Sequence, residues 1–389
     1  MDRRQFTLSL AAFAAAAAQQ PAPAAERGRG KRIAVIGAGI QGASIAWHLA
    51  GRGAEVTVFE KRRPAMMATA NSFAWLNAYS KRPRPYYELN LLGLQGWRRL
   101  SLELGPALAV QWGGSVEWVA DGVAATKLAA SIRNQQSWGY GSRLIDESEL
   151  SRLLPTVVPG TVAGAAWSEF DATVHPVRAT LALLAAATAR GARVESGVAV
   201  TGFERDGNGR VTAVQTSQGR LPVDAVVLAG GTETGSLAAL LGQPLPLVES
   251  RGVLAHATAQ PDSLRRVVMA PGSTIKQNPD GSVATGESFS GTEATEATAA
   301  LGRQLLEVAS GYLPVLRGAK LEDVTLGYRV LPKDSFPAIG FASGCANAWI
   351  AVMHSGMTLS PLVGQLAVAE VIDGASVDLL ETFRPARFG

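Results

Sequence analysis

The chain is poor in the residues that build metal centres and cross-links. Of its 389 residues one is cysteine, Cys345, and four are histidine. A single thiol excludes an internal disulfide and any cysteine-based metal site. His48, His175, His256 and His354 are scattered along the chain, so no metal site is expected. Charge is also scarce: Asp, Glu, Lys and Arg make up 17%, and the formal net charge is +4. Half of that excess sits in the first thirty residues, where Arg3, Arg4, Arg27 and Arg29 outnumber Asp2 and Glu26. No block of Lys and Arg marks a nucleic-acid footprint, so no nucleic-acid partner is expected. No Ser-His-Asp or Cys-His arrangement is evident, and there is no internal repeat. The 47% of hydrophobic residues, in contrast, is enough for a large buried core.

The N-terminus opens with "MDRRQF" and continues in a mild apolar run to Ala18. That run is about eleven residues, too short to span a bilayer as a helix, so no transmembrane span is expected. A short charged start, an apolar core and small residues point to an export signal, and the Arg3-Arg4 pair makes it the twin-arginine type. Residues 1–30 are read as that signal plus a Pro/Ala/Gly linker, which implies a periplasmic location, or a cytoplasmic one if the signal is not used. The twin-arginine route carries folded proteins, as suits a chain that must fold around a cofactor before export.

What is abundant is glycine in a particular arrangement. In "IAVIGAGIQG" a run of β-formers meets Gly37, Gly39 and Gly42 in the spacing Gly-x-Gly-x-x-Gly. Gly37 permits a tight turn, Gly39 lets a pyrophosphate approach the backbone, and Gly42 lets the following helix pack on the strand. The helix is expected from Ala43 to Arg52, and its N-terminus turns free N–H groups and positive dipole toward the phosphates. "EVTVFE" is the next strand and ends on Glu60, a carboxylate suited to ribose hydroxyls. Further on, helical spacing in "PYYELNLLGLQGWRRLSLEL" stops at Gly105-Pro106, and a helix ends near Gly191. Strands separated by "DGNGR" and "SQGR" turns lead to the apolar strand "AVVLAGG". Residues 248–326 read as strands and then a helix from about Thr292 to Tyr312. The chain ends in the strand "AWIAVM", a turn at Gly356, and a helix from about Leu359 to Asp373 with Pro361 in its first turn. Dinucleotide-binding parts therefore lie at both ends and in the middle.

Three separated segments carry a family resemblance: the central "RGARVESGVAVTGFERDGNGRVTAVQTSQGRLPVDAVVLAGG", then "GYRVLPKDSFPAIGF", then "AWIAVMHSGMTLSPLVGQLAVAEVIDG". From about Lys31 to Gly374 the chain resembles FAD-dependent oxidoreductases of the D-amino-acid oxidase/glycine oxidase family. The resemblance implies an α/β fold. A discontinuous Rossmann-like FAD-binding domain with a parallel sheet (31–84, 165–247, 327–389) would pair with an α+β substrate domain carrying a mostly antiparallel sheet (85–164, 248–326). It implies non-covalent FAD. Gly37, Gly39, Ile40 and Gly42 would hold the pyrophosphate, Glu60 the ribose, and Lys61 the adenine side. Thr69, Asn71 and Ser72 would pass beside the FAD, Val200 would contact adenine, and Gly230 and Gly231 would close the strand approaching the cofactor. His354, Gly356, Met357 and Thr358 would turn N–H groups and positive dipole to the flavin ring.

Two positions depart from the family pattern. His175-Pro176 stands where members often have Asp-Pro. On "STIKQNPDG", Thr274 and Lys276 replace the aromatic hydroxyl of several amino-acid oxidases; strand alternation puts both on one face, directed at the active site or at solvent. Arg329 is the candidate for binding a substrate carboxylate, with a structural tie to Asp334 or Asp323 as the alternative; Arg329, His354 and Lys276 are the candidate catalytic residues. The expected reaction is removal of a hydride from the α-carbon of an amine or amino acid, with the imine hydrolysed in water and electrons passed to oxygen, a quinone or another carrier. An NAD-dependent dehydrogenase and an exported FAD-binding subunit without turnover stand as alternatives.

Overall fold

The computed structural model describes residues 28–287 and 291–389. The expected export signal lies outside the described residues. The first strand, Arg32–Ile36, pairs in parallel with Glu55–Glu60 on one side and Ala225–Leu228 on the other. Arg193–Ser196 and Cys345–Val352 extend the parallel run outward, and Ala338–Ala342 closes the six-stranded sheet as an antiparallel edge. Side-chain alternation divides this sheet between two cores. Ile33 and Val35 pack with the helices; Ala34 and Ile36 pack on the other face with Val211 and Val214 of a three-stranded antiparallel sheet.

An eight-stranded sheet forms the second layer. It is antiparallel throughout except where Val267–Ala270 runs parallel to Ser115–Val119. The strand Gly164–Ser168 hydrogen-bonds into this sheet, as does Leu321–Tyr328. Three short strands, Trp75–Leu76, Ala172–Val174 and Val110–Gln111, form a separate antiparallel sheet with Ala172–Val174 in the middle.

The helix after the glycine turn spans Ile40–Ala50 and is buried on nearly every side. It begins three residues earlier than the periodicity suggests, because its first turn includes the glycine motif itself. One side of it meets the C-terminal helix in a ladder at helical spacing. Gln41 Nε2 donates to the Gly356 carbonyl at 2.5 Å, and Ser44 Oγ donates to the Ser360 carbonyl at 2.7 Å. His48 lies over Gly364, where a Cβ would fall 2.2 Å from its Nδ1. That nitrogen donates to the Ser44 carbonyl at 2.8 Å.

The C-terminal helix itself differs from expectation. It runs Gly356–Ala367 and continues as a π-helical turn over Val368–Ile372. Pro361 therefore lies inside the helix rather than in its first turn, and the Met357 carbonyl loses its i+4 donor. Trp97 Nε1 supplies a replacement at 2.8 Å and Ser360 Oγ a second at 3.1 Å. The long helix Arg84–Leu104 that carries Trp97 comes this close because of two glycines. A Cβ on Gly93 would lie 2.5 Å from the Thr358 carbonyl oxygen, and one on Gly96 would lie 2.8 Å from Pro361 Cβ. The helix expected from Thr292 starts at Ala299, where Thr298 Oγ1 caps it by accepting from Leu301 N–H at 3.2 Å.

Trp97→Phe should lower stability by about 1–3 kcal/mol, since it strips the main donor from a buried carbonyl. Urea midpoints at unchanged far-UV circular dichroism read this; a midpoint equal to wild type would mean that the indole bond contributes nothing.

Candidate functional site

The glycine turn forms a cradle at the carboxyl edge of the parallel sheet. Gly37 has φ +105°, and a Cβ on it would lie 2.4 Å from the Ala229 carbonyl oxygen. A Cβ on Gly42 would lie 1.9 Å from the Gly37 carbonyl oxygen, so the helix can approach the turn only with glycine there. Gly39 faces Thr69, whose Oγ1 accepts from Ile40 N–H at 3.2 Å. Glu60 closes the far side: its carboxylate accepts from Ala38 N–H at 3.1 Å and Arg62 N–H at 2.9 Å. Val198 N–H donates to the Glu60 carbonyl at 3.0 Å, which brings the strand starting at Val200 alongside the same edge. Gly230 lies against Gly37, and Lys61 pairs with Glu233 just beyond Gly231. Residues from four distant segments that the sequence suggests for the cofactor thus meet at one edge.

A second helix N-terminus arrives beside the first. The Gln41–Gly356 bond joins the two starts, and Asn77 N–H donates to Thr358 Oγ1 at 3.2 Å. The side chains of Met357 and Thr358 are buried, so what this turn offers outward is backbone N–H groups. Asn71 and Ser72 are tied to the protein. Asn71 Nδ2 reaches the Leu326 carbonyl at 3.5 Å, and Ser72 Oγ accepts from Ala74 N–H at 3.0 Å. Gly327 packs on Asn71, where a Cβ would meet its backbone oxygen at 3.0 Å.

Arg329 follows two residues later, at the crossing between the sheets. Its backbone N–H donates to Ser250 O at 2.8 Å, and its guanidinium lies over Gly252 and Gly291. The two carboxylates considered as structural partners are engaged elsewhere: Asp334 with Arg387 at 2.6 Å, and Asp323 with the Val324 N–H at 2.8 Å. Among the described residues Arg329 has no ion-pair partner. Burial lowers its pKa, but a guanidinium stays charged.

His354 is reached by solvent, while the surrounding protein, followed by Lys81 and Arg329, holds its imidazole below the ordinary value. It is a neutral ring beside two cations at neutral pH. The next residue, Ser355, bonds through Oγ to Tyr86 OH at 2.6 Å, and Lys81 Nζ lies 5.9 Å from the centre of that tyrosine ring. Lys81 carried no signal of its own in "YSKRPRP", yet it is the basic residue of that run that turns inward while Arg82 and Arg84 are exposed.

Lys276 is neither a surface lysine nor open to a cleft. It is 1% exposed, donates to the Val174 carbonyl at 2.9 Å, and lies 5.7 Å from the Phe73 ring centre. Burial lowers it to about 7, with Asp280 acting in the opposite sense. Thr274 on the same strand donates to Gly286 O at 3.2 Å. His175, in place of the family aspartate, still caps its helix, its Nδ1 accepting from Arg178 N–H at 3.4 Å. A buried carboxylate that sequence reasoning missed is Asp171. It accepts from Trp75 Nε1 at 3.0 Å, from Ser115 Oγ at 2.6 Å and from Tyr140 OH, and burial raises it to about 7. Its donors come from three separate segments, so no local pattern announces it. Among the described residues no group of His, Cys, Asp and Glu could hold a metal ion.

A glycine cradle on a parallel sheet, faced by a second, antiparallel sheet with cations at the crossing, defines a dinucleotide-binding oxidoreductase. The chain belongs to the FAD dependent oxidoreductase (DAO) family, matching it over residues 32–370. It is 27% identical over 379 residues to the uncharacterized oxidoreductase YurR of Bacillus subtilis, covering 92% of this chain and 99% of that protein. It is 27% identical over 362 residues to glycine oxidase of Pseudomonas putida, covering 89% and 95%. The crystal structure of glycine oxidase from Geobacillus kaustophilus shares the fold, with TM-score 0.83 at 24% identity over 92% of this chain and 99% of that one.

The family makes FAD the dinucleotide, and the cradle fits it: at Gly37 and Gly42 backbone closes into the space a side chain would fill, and at Gly39 only Thr69 Oγ1 comes near, 3.2 Å from where a Cβ would lie, beside two helix N-termini. Gly42→Ala should purify with less than about a tenth of the wild-type flavin, because the added methyl displaces the turn backbone. The ratio of 450 nm to 280 nm absorbance measures it; full occupancy would show that the close approach is dispensable.

Proposed function

We propose that the protein oxidises the C–N bond of an amine or amino acid. Bound FAD supplies the two-electron acceptor, taking the α-hydride and delivering the electron pair to oxygen or to a quinone or other carrier. The substrate loses that hydride and its amine proton, and water converts the resulting imine to a carbonyl compound and the released amine. The observation that carries this reading is Arg329, an unpaired, half-buried guanidinium at the crossing of the two sheets. Its two parallel donors match a carboxylate, so it would orient the α-carbon as well as bind it. Homology to glycine oxidase supports an amino-acid substrate.

The surrounding charges suit the chemistry. Hydride loss requires a neutral amine, and the positive charge of Lys81 and Arg329 disfavours an ammonium between them. The neutral imidazole of His354 can accept a hydrogen bond from that amine. Lys276, enclosed against Phe73 and bonded to the Val174 carbonyl, stands apart from these groups. In the same reading Glu60 keeps lone pairs for ribose hydroxyls, and the turn at Gly356, Met357 and Thr358 gives its N–H groups to the flavin's electron-rich edge. The FAD is held non-covalently: Cys345 is buried at the start of its strand, its thiol bonded to Asn347 Oδ1 at 3.3 Å.

No helix of the described residues is long and apolar enough to cross a membrane. The twin-arginine reading of the N-terminus places the loaded enzyme in the periplasm. Changing Arg3 and Arg4 together to lysine should then leave active, yellow protein in the cytoplasm, and undiminished periplasmic delivery would remove that assignment.

Arg329→Lys keeps the charge and loses the fork. It should raise KM for a carboxylate substrate and slow anaerobic flavin reduction, at a cost of about 2–4 kcal/mol of transition-state stabilisation and with FAD content unchanged. A variant that turns over amino acids at the wild-type rate would refute the carboxylate role.

A further inference from the structure

The surroundings of His354 hold more positive charge than one carboxylate requires. Lys81 acts on His354 together with Arg329, and among the described residues it has no ion-pair partner. It is half-buried, with Tyr86 beneath it at 5.9 Å and Tyr86 in turn bonded to Ser355, the neighbour of His354. Asp171, the acid that acts on it, is already engaged. Asp171 has both oxygens taken, one by Trp75 Nε1 and Ser115 Oγ and the other by Tyr140 OH. Glu117 accepts from Tyr79 OH. Asp171 acts on Lys81 through space without bonding it, and Lys81, lowered by burial to about 8, remains mainly charged at neutral pH.

The backbone is also built to turn this lysine inward. Ser80, directly before it, has φ +53°, the left-handed region that a serine adopts only at a cost. That conformation is held from the neighbouring helix: Ser80 N–H donates to Gln135 Oε1 at 3.2 Å, and the Ser80 and Ser131 hydroxyls share a bond at 3.1 Å. Arg82 and Arg84 of the same run stay outside, Arg84 paired with Glu88 at 2.8 Å. A half-buried cation without a counter-ion, on a strained and anchored turn, is the arrangement expected where a ligand supplies the missing charge.

We propose that the substrate is an amine carrying two anionic groups, in the simplest case a dicarboxylate, with one group on Arg329 and the second on Lys81. The proposal rests on the amine-oxidising reading and names its substrate class. Lys81 acts here in binding and selection; the bond that breaks is the one already described.

Matched pairs test this on the FAD-loaded enzyme. Sarcosine and iminodiacetate differ by one carboxylate, and anaerobic flavin reduction reads each of them; aspartate and glutamate of both configurations extend the panel against alanine. Iminodiacetate, or the best of the dicarboxylates, should exceed its monocarboxylate partner in kcat/KM by about tenfold or more, the worth of one charge-assisted contact. Lys81→Met should cut that ratio about tenfold, mainly through KM, and Lys81→Arg should restore most of it. Diglycolate and methoxyacetate, the oxygen analogues without an amine, separate binding from chemistry through perturbation of the flavin spectrum. Wild-type enzyme should bind diglycolate the more tightly, with the difference shrinking in high salt. Equal binding of the two analogues, a preference for monocarboxylates, or a ratio that Lys81→Met leaves within about twofold would overturn the proposal. If Lys81→Met does not fold, the wild-type comparison of analogues decides alone. Tight diglycolate binding with no amine able to reduce the flavin would sink the amine-oxidising reading and keep the second anion site.

Discussion

The contact on which the site depends is the ladder between the turn helix and the C-terminal helix. Gln41, Ser44 and His48 on one face Gly356, Ser360 and Gly364 on the other. Two hydrogen bonds and one glycine contact set the helices level, so their N-termini open at the same edge of the sheet. Each brings unpaired backbone N–H groups and the positive end of a dipole. The long helix Arg84–Leu104 locks the C-terminal helix from its other side through Gly93 and Gly96, and Trp97 serves the carbonyl that Pro361 leaves open. Side chains at the three glycine positions would push apart helices that must touch.

Around that edge the charges are distributed unequally. Asp171 and Glu117 are satisfied by neutral donors, while among the described residues Lys81 and Arg329 have no ion-pair partner. A folded protein seldom keeps half-buried cations uncompensated, because desolvation is costly and a nearby carboxylate removes the cost. Lys81 and Arg329 both act on the His354 imidazole, which is the basis for proposing an anionic ligand there. Lys276 belongs to a different setting. Fully enclosed, with a carbonyl and an aromatic ring for company, it responds to burial by losing affinity for its proton.

The glycine cradle and its strands could be read directly from the order of residues, since turn, helix and carboxylate lie within thirty residues and each obeys a local rule. The two-sheet architecture could be read from alternation and family resemblance. The start of the helix at Ala299 was less legible, because Thr292, Thr295 and Thr298 all precede it as candidates for the capping position and Thr298 is the one that caps it. Pro361 was placed in a first turn because proline is tolerated there; that an indole from a distant helix would relieve its missing N–H had no trace in the local pattern. Alternation did place Thr274 and Lys276 on one face, but it could not say that this face is sealed.

Local sequence therefore determined where the backbone can turn tightly with a helix packed against it, for steric permission at Gly37 and Gly42 is a property of the residues themselves. It also determined which groups carry charge. Tertiary structure alone decided which of those charges are answered. Asp334 went to Arg387 rather than Arg329, Asp171 collected three neutral donors, and Lys81 alone of its basic run turned inward. Ion pairing falls off within a few ångströms, and the chain brings these residues that close only by packing together segments well separated in sequence.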